Sequence, residues 1–381
     1  MTNAESGNSS RNFNVLWIIV AFVLMVIGGF LFKALAPNTL PPEASAESKQ
    51  VDNLLSIMIV IGGAIFLLVQ GAIVFSVIRF RAKPGDTSEG ITVHGNATLE
   101  LIWTAIPAVI VLFLSIVSFQ VWVSVTSAKE NEQAIGVHAQ RFAWSFTYDV
   151  PDHPDLTVTS KELHTFVDQP VDMVMNSTDV IHSFFIPAMR IKQDVIPGRT
   201  TEIRFTPVLA GEYPIQCAEL CGAGHGDMRS TIIVHASETD YLDWFNQQVD
   251  VLLNPPEDPV ARGEQILSSG AYPCSSCHTL ESLGWTGNVG PNLTGVGDRA
   301  GNRVPGMPAE QYISRSIYFP HEFLVPGFGP LMPIFQHTDP TAPNYMSLDD
   351  HKAIVSYLCT QTSTGDSACD LNNLDQIISG Y

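Results

Sequence analysis

The sequence predicts a multi-domain membrane protein, with helices that cross the bilayer near its N-terminus and water-exposed domains after them. Long apolar runs occupy the first third of the 381 residues, and 18 of the 19 net negative charges lie after residue 125. Beyond residue 126, short segments alternate polar with apolar side chains between Gly and Pro, which indicates an antiparallel β-sandwich or barrel. The acidic excess excludes nucleic acid as a leading partner, because binding to phosphates needs a basic face.

Three apolar runs are candidates for membrane helices: Val15–Phe32, Leu54–Ile78 and Leu101–Val125. The second and third runs each contain 25 residues without a charge, whereas a bilayer core of about 30 Å needs about 20 helical residues. Buried helices of soluble proteins rarely stay apolar for so long. We therefore predict a transmembrane helical hairpin over residues 50–126, embedded in membrane lipid.

Basic residues set the orientation of this hairpin. Arg79, Arg81 and Lys83 directly follow the second run, and the positive-inside rule places the loop after it in the cytoplasm. Everything after Val125 then lies on the outer side of the membrane.

The first run, within residues 1–36, has two interpretations that the sequence leaves open. Arg11 before it and Ala34-Leu35-Ala36 after it are typical of a cleaved signal peptide. Its 18 apolar residues are long for such a signal, and Pro37 would lie just after the cut. Those two features favour an extra transmembrane helix.

A cluster of sulfur and imidazole side chains occurs among the predicted strands. Two cysteines, a histidine and a methionine fall within twelve residues, and an upstream histidine adds a second imidazole. This soft ligand set favours copper over hard cations, and two cysteines can bridge two copper ions. The predicted ligands of the dinuclear site are His182, Cys217, Glu219 through its carbonyl, Cys221, His225 and Met228.

Three other interpretations of this cluster compete. A Cys217–Cys221 disulfide would leave His225 and Met228 without a role. Structural zinc usually takes a second pair of cysteine or histidine ligands and no methionine. A chance cluster of these residue types is the weakest alternative.

A second motif, Cys274-Ser275-Ser276-Cys277-His278, follows a linker of proline and acidic residues over 253–260. In C-x-x-C-H, two thiols bond the vinyl groups of a haem and the adjacent histidine binds the iron. The second axial ligand is expected to be a methionine further along the chain. Met332 is preferred over Met307, which lies close to the Pro291 segment, because the chain must wrap a loop around the haem.

These motifs resemble subunit II of a haem–copper cytochrome c oxidase with a fused C-terminal class I cytochrome c domain. The family spacing C-x-E-x-C-G-x-x-H-x-x-M is matched throughout, and His94-Gly95-Asn96 and Leu99–Thr104 lead into the third run as in the family. Gly290–Leu293 matches the cytochrome segment in which the Pro291 carbonyl would hold the ring of the proximal histidine.

The resemblance implies a domain organisation for the rest of the chain. A cupredoxin-like β-barrel would occupy residues 127–252 and an all-α cytochrome c domain residues 261–362, followed by a C-terminal tail over 363–381. Cys359 and Cys369 lie ten residues apart outside the cytoplasm, where an oxidising compartment favours a disulfide between them.

The resemblance also implies roles for single residues. The sulfur cluster would be the CuA centre, and Glu219 would also reach a magnesium ion at the interface with subunit I. Glu100 would lie near the entrance of a proton pathway; its alternative role is a helix-start carboxylate that the helix dipole favours.

One position departs from the family. The family often has a Trp at which external cytochrome c delivers its electron, and this chain has Phe142 there. Docking of a free cytochrome c at that patch is therefore not implied. Trp144 occupies the second aromatic position, and its alternative role is that of a strand-core residue.

The predicted function is electron transfer into a proton-pumping cytochrome c oxidase of the bacterial cell membrane, with both domains on the periplasmic side. An external donor, a cytochrome c or another basic protein steered by the acidic charge, would reduce the haem. Electrons would pass to the copper pair and then to subunit I, which reduces oxygen; other oxidase subunits are further partners. No catalytic residue is expected on this chain. The alternatives are the CuA-bearing subunit of a nitric oxide reductase and a membrane-tethered copper carrier.

Overall fold

The computed structural model of the chain describes residues 15–35, 40–82, 84–85, 95–339, 342, 344–378 and 380. Five residues named above lie outside the described residues: Arg11, Ala36, Pro37, Lys83 and His94. The chain divides into two compact units, Met1–Pro42 with Lys49–Val125 and Glu43–Ser48 with Thr126–Tyr381.

The first unit contains long apolar helices. They are α1 (Val15–Leu35), α2 (Ala46–Arg79) and α3 (Ala97–Thr126). With 34 and 30 residues, α2 and α3 are long and apolar enough to cross a membrane, and they contain the two runs predicted to span it. Gly28 of α1 lies against Leu67 of α2, where a Cβ atom would clash, so these two helices approach closely.

Two five-stranded sheets in the second unit form the β-domain. The first sheet contains β1 (Gln133–Gln140), β2 (Ala143–Asp149), β3 (Thr157–Ser160), β5 (Val171–Ser177) and β8 (Thr201–Phe205) in the order β3-β2-β1-β5-β8. The second contains β4 (Leu163–Phe166), β6 (His182–Ile186), β7 (Ile191–Val195), β9 (Gly211–Cys217) and β10 (Arg229–His235) in the order β4-β10-β9-β6-β7.

Strand pairing is mixed, whereas the alternating pattern predicted an antiparallel arrangement. Strand β1 pairs in parallel with β5, and β4 pairs in parallel with β10. The other pairs in the two sheets are antiparallel. Parallel partners need long connections, so these pairs join strands far apart in sequence, which a local pattern does not reveal.

The core of the β-domain lies between the two sheets. In β1, Ile135, Val137 and Ala139 alternate with partly exposed residues and are fully buried. Phe146 of β2 and Phe184 of β6 meet edge to face, with ring centroids 6.2 Å apart. The two sheets are thus joined by apolar contacts beside the strands that carry the predicted ligands.

Helix α4 (Glu238–Leu253) follows the last strand. The Ser237 hydroxyl oxygen accepts a hydrogen bond from the Asp240 N–H at 3.2 Å and so begins the helix. Trp244 stacks on His164 of β4, with ring centroids 3.7 Å apart, which fixes α4 to the barrel. The helix ends where the linker was predicted to begin.

The C-terminal region is mostly helical. It contains α5 (Pro259–Ser269), the short strands β11 (Thr279–Leu280) and β12 (Trp285–Thr286), α6 (Val296–Ala300), α7 (Ala309–Tyr318), α8 (Leu348–Cys359) and α9 (Leu374–Ile378). Gly263 of α5 lies against the Ala353 carbonyl of α8, so the helices before and after the C-x-x-C-H motif pack closely. Leu374 and Ile378 are buried, so the predicted C-terminal tail contributes to this core.

Candidate metal centres

The predicted sulfur and imidazole ligands come together in the β-domain. The Sγ atom of Cys217 lies 3.9 Å from Nδ1 of His182 and 3.9 Å from Sγ of Cys221. The Sγ atom of Cys221 lies 3.6 Å from Nδ1 of His225 and 3.8 Å from Sδ of Met228. The two sulfurs are not joined in a disulfide. Each cysteine sulfur therefore lies next to a different histidine: Cys217 next to His182, and Cys221 next to His225.

Strand pairing positions these ligands. His182 begins β6 and Cys217 ends β9, and the two strands are antiparallel, with Phe184 opposite Cys217. The remaining ligands lie in the loop from β9 to β10, which contains a 3₁₀ turn at His225–Asp227. The Cys217 N–H donates to the Met228 carbonyl at 3.2 Å and closes this loop.

The spacing of the donor atoms fits metal ions. With bonds of about 2.0–2.3 Å, as for zinc, tetrahedral geometry separates neighbouring donor atoms by about 3.3–3.8 Å. The four distances between donor atoms are 3.6–3.9 Å. The Glu219 carbonyl oxygen lies 3.3 Å from Sγ of Cys217, so it is also near the cluster. Thiolate and thioether donors favour copper over hard cations.

The two cysteine thiols oppose each other's ionisation. Burial raises the pKa of the Cys217 thiol, but hydrogen bonds from His182 and the Ser183 backbone outweigh it and lower this pKa below its ordinary value. Burial and the charge on Cys217 raise the pKa of Cys221 well above its ordinary value. One ionised sulfur thus opposes ionisation of the other, and a bound cation would remove that conflict.

A carboxylate to which the sequence motif gave no role orients one histidine. Asp179 Oδ1 lies 2.8 Å from Nε2 of His182, on the other side of the ring from Cys217. Burial raises the pKa of Asp179, but hydrogen bonds from His182 and Arg141 outweigh it and hold this pKa well below its usual range. Burial lowers the pKa of His182, and the bond to Asp179 outweighs it and raises this pKa.

Arg141 fixes this carboxylate from a distant part of the chain. Its backbone N–H and its Nε donate to Asp179 Oδ2 at 2.8 and 3.0 Å. Asp179 lies three residues before His182, so a local hydrogen bond between them could have been predicted from the sequence. The contact between Asp179 and Arg141 spans 38 residues, and the sequence gives no indication of it.

Trp144 packs against the same ligand. Its ring centroid lies 6.1 Å from that of His182 and 5.2 Å from that of Phe184, both edge to face. With 3% of its surface exposed, Trp144 is a strand-core residue that supports the histidine from the side.

The C-x-x-C-H residues line an apolar cavity in the helical region. Cys274, Cys277 and His278 lie on its wall, and so does Met332. Met307 packs against the helical core and is not among the residues that line the cavity. Much of the remaining wall is apolar and includes Leu267, Ile313, Phe323, Phe335, Ile354 and Leu358. Two thiols, an imidazole and a thioether around an apolar cavity fit a covalently attached haem.

The loop after the motif orients His278. Its Nδ1 lies 2.6 Å from the Pro291 carbonyl oxygen, which leaves Nε2 for an iron ligand bond. Burial lowers the pKa of His278, which favours the neutral ring that metal binding needs. A Cβ atom on Gly290 would lie 2.7 Å from Cε1 of this ring, so only glycine fits there. Arg299 donates to two backbone carbonyls of the same loop at 2.6 and 2.7 Å.

The remaining candidate side chains are those of Glu100, Glu219, Cys359 and Cys369. Glu100 Oε1 accepts the Asn96 N–H at 3.2 Å at the start of α3, which is a helix-start arrangement. The Glu219 side chain is exposed. Cys359 and Cys369 form a disulfide, with their Cα atoms 5.7 Å apart.

Comparisons with known proteins match two separate parts of the chain before residue 238 and give relatives that align with about two thirds of it. Residues 33–121 match the transmembrane domain of cytochrome c oxidase subunit II, and residues 159–237 match its periplasmic domain. Cytochrome c oxidase subunit 2 of Synechocystis sp. is 34% identical over 278 residues, 61% of this chain and 81% of that protein. The subunit 2 of Thermostichus vulcanus is 34% identical over 308 residues, 67% of this chain and 91% of that protein.

A solved structure gives a weaker likeness. The periplasmic domain of subunit II of cytochrome oxidase from Bradyrhizobium japonicum is 26% identical and covers 32% of this chain and 98% of that chain. Its TM-score of 0.30 is too low to carry an argument.

The two domain matches agree with the architecture. The transmembrane match includes most of α2 and α3, and the periplasmic match includes all the predicted copper ligands. Neither match reaches the C-x-x-C-H cavity. The protein is a membrane protein with a periplasmic cupredoxin-like domain, and its curated relatives are subunits of an oxidase. The chain belongs to the family of cytochrome c oxidase subunit 2.

Proposed function

We propose that this chain is the electron-accepting subunit of a proton-pumping cytochrome c oxidase and carries its own haem c beside a CuA centre. One observation carries the proposal: a single unit of the chain contains both a buried sulfur and imidazole cluster and a separate cavity lined by Cys274, Cys277, His278 and Met332. When bound, a copper pair and a haem would each take up and release one electron at a time.

The residues of the β-domain suit a site that passes electrons. His182 and Met228 are fully buried, and Cys217 and Cys221 are 9% and 7% exposed. Their burial keeps bulk water away from these donors, which would suit metal ions that pass electrons rather than bind a substrate. Because Asp179 and the strand pairing already hold the donors in place, a change of charge would require little movement of the ligands.

The residues that line the helical cavity suit a covalently attached haem. Cys274 and Cys277 would attach the haem. His278, whose ring is held by the Pro291 carbonyl, and Met332 would bind its iron. A haem held in this way would supply electron transfer, and oxygen chemistry would occur on subunit I.

Partners of the copper region follow from its surface. Leu220, directly after Glu219, is 79% exposed, and Ile181 beside the ligand His182 is 47% exposed. Such exposed apolar side chains suit an interface with subunit I. The exposed Glu219 carboxylate would lie there as the magnesium ligand, and Glu100 would serve the entrance of a proton pathway in the same complex.

The electron donor is proposed to be a basic protein, such as a cytochrome c, at the periplasmic face of a bacterial cell membrane. The domains after residue 125 carry 18 of the 19 net negative charges, so their field would attract a cationic partner. We expect the rate of haem reduction to fall as salt is added, because salt screens this attraction.

Isolation of the intact membrane complex in mild detergent tests the function. We expect about two copper ions and one covalent haem per chain, together with consumption of oxygen. Intact mass of this chain and optical spectra would show both groups. A purified chain with neither group would overturn the proposal. Consumption of nitric oxide with a different catalytic subunit would instead favour the reductase, and copper that leaves readily without any haem would favour a carrier.

A further inference from the structure

The charged side chains on the wall of the helical cavity are all basic. They are Arg141, Arg299 and Arg303, and no carboxylate is among the described residues that line this cavity. The domains after residue 125 nevertheless carry 18 of the 19 net negative charges, so a basic wall departs from the composition around it. Such a wall favours a group with negative charge, because a buried charge is costly unless it is paired. The proposed haem is such a group, since it carries carboxylates.

Arg141 is the one of these three arginines that comes from the β-domain. It lies in the turn between β1 and β2, whereas Arg299 and Arg303 belong to the helical region. Arg299 already donates to the carbonyls of Asn292 and Thr294, at 2.6 and 2.7 Å, and so holds its own loop. Arg303 is exposed. Arg141 is therefore a contribution of the β-domain to a site in the helical region.

The guanidinium of Arg141 is only partly used within the described chain. Its Nε donates to Asp179 Oδ2 at 3.0 Å, and its backbone N–H donates to the same oxygen at 2.8 Å. Its Nη atoms carry further N–H donors, and they make no hydrogen bond to any residue that the structure describes. The Arg141 side chain is 42% exposed. These donors therefore remain available to a group in the cavity, which Arg141 lines.

A second arginine of the β-domain shows that one guanidinium can hold several carboxylates in this protein. Arg204 donates from Nε to Glu132 at 3.1 Å and from Nη2 to Asp172 and Glu202, both at 2.8 Å. A planar guanidinium suits this arrangement, because its donors point in several fixed directions. Arg141 can therefore keep its bond to the protein carboxylate and bind a carboxylate of a cofactor as well.

We propose that Arg141 binds a carboxylate of the haem through its Nη groups and thereby connects the haem to the copper ligand His182. The connection runs through Asp179, whose Oδ1 lies 2.8 Å from Nε2 of His182 and whose Oδ2 accepts from Arg141. The proposal rests on the proposed function, because it needs the haem to be bound. Arg141 then holds a group at each site, so a change in this one residue should be measurable at both metal centres.

The test compares Arg141→Gln with the matched control Arg315→Gln in the purified oxidase complex. Both changes remove one positive charge, but Arg315 pairs with Glu322 and does not line this cavity. In Arg141→Gln, the haem midpoint potential should fall, because a nearby cation stabilises the reduced haem, which has one positive charge less. The bending band of the haem carboxylates in the resonance Raman spectrum should shift, because a carboxylate loses its donor. Arg315→Gln should leave the potential and the band at their wild-type values.

Two further measurements separate this contact from a general effect of charge. The copper electron paramagnetic resonance spectrum should change in Arg141→Gln and not in Arg315→Gln, because Asp179 loses its Nε donor. In Arg141→Lys, which keeps the charge but not the planar guanidinium, the haem potential should recover towards wild type while the Raman band stays shifted.

Several outcomes would overturn the inference and leave the proposed function standing. One is an unshifted Raman band in both Arg141 variants, with haem and copper present. Another is a change in the copper spectrum with an unchanged haem potential and Raman band, because Arg141 would then serve Asp179 alone. Equal effects in Arg141→Gln and Arg315→Gln would also overturn it. If Arg141→Gln does not retain the haem, the Raman band of Arg141→Lys decides. A wild-type complex without haem would overturn both proposals.

Discussion

The β-domain and the helical region hold their candidate ligands in different ways. In the β-domain, the donor atoms already lie 3.6–3.9 Å from one another, because strand pairing and a short loop bring them together. In the helical region, Cys274, His278 and Met332 line the wall of a cavity. The protein can pack fully around small ions with its own side chains. A large planar group, by contrast, supplies part of the packed core itself.

The consequence for stability follows from the cavity wall. Ile313, Ile354 and Leu358 belong to the core of the helical region and also line the cavity. Without a group in the cavity, these side chains lose partner atoms on one side, which costs packing energy. We therefore expect the helical region to depend on its ligand for folding far more than the β-domain does.

The largest effect is expected from removal of both attachment cysteines. In Cys274→Ser with Cys277→Ser, haem should no longer be bonded to the chain, and the helical region should lose its cooperative unfolding transition, because its core depends on the haem. The copper spectrum should persist. Mass of the chain, circular dichroism and copper absorption measure the three outcomes. Retention of a cooperative helical transition without haem would remove the proposed difference between the regions.

A smaller effect is expected at the axial methionine. Met332→Leu should keep the haem attached through the two cysteines but replace the methionine-ligated spectrum with that of a haem lacking this ligand. Met307→Leu is the matched control, because Met307 packs in the helical core and does not line the cavity. The visible spectrum and the haem midpoint potential report the change. The assignment would be reversed if Met307→Leu, rather than Met332→Leu, altered the spectrum.

On the copper side, the residue that orients His182 can be changed without removing a ligand. Asp179→Asn weakens the hydrogen bond to Nε2, and loss of such a partner typically lowers metal affinity by about 10–100-fold. Asp227→Asn removes an equal charge from the exposed 3₁₀ turn of the copper loop and serves as the control. Competition with a copper chelator measures both. Equal affinities in the two variants would show that orientation of His182 does not matter.

Much of this architecture could be predicted from the sequence. The packing between the β-domain and the helical region could not. The ligand motif from Cys217 to Met228 and the C-x-x-C-H motif are local, and their residue types and spacing predicted a copper site and a haem site. Apolar run length indicated α2 and α3. Cys277 packs against the apolar core of the β-domain, whose members, such as Phe142, come long before it in the sequence, and no local pattern predicts this packing. Contacts of this kind depend on how two folded regions pack, which a local pattern does not encode.

The smallest expected effect concerns one buried histidine in each region. Burial and a neighbouring histidine lower the pKa of His164 in the β-domain to about 3. Burial and a neighbouring histidine also lower the pKa of His351 in the helical region to about 3. The neighbours lie close: Nδ1 of His164 is 3.1 Å from Nε2 of His235, and Nδ1 of His351 is 3.0 Å from Nε2 of His337.

These lowered pKa values make the folded protein less stable at acidic pH. A histidine in an unfolded chain titrates near about 6.5, so below that pH the unfolded state takes up a proton that the folded state does not. The free energy of unfolding should therefore fall as the pH drops from about 6.5 towards 3, and this contribution should be constant above that window. One unit below 6.5, each histidine should contribute a loss of about 1 kcal/mol.

Denaturant unfolding at pH 7.5 and 5.5 measures this effect, with the copper band and the haem band reporting the two regions separately. His164→Gln should reduce the pH dependence in the β-domain alone, and His351→Gln should reduce it in the helical region alone. Each variant is thus the control for the other. If both bands respond equally to either variant, the two regions unfold as one cooperative unit, and the packing of Cys277 and Val289 on the β-domain core joins them more strongly than their separate cores would suggest.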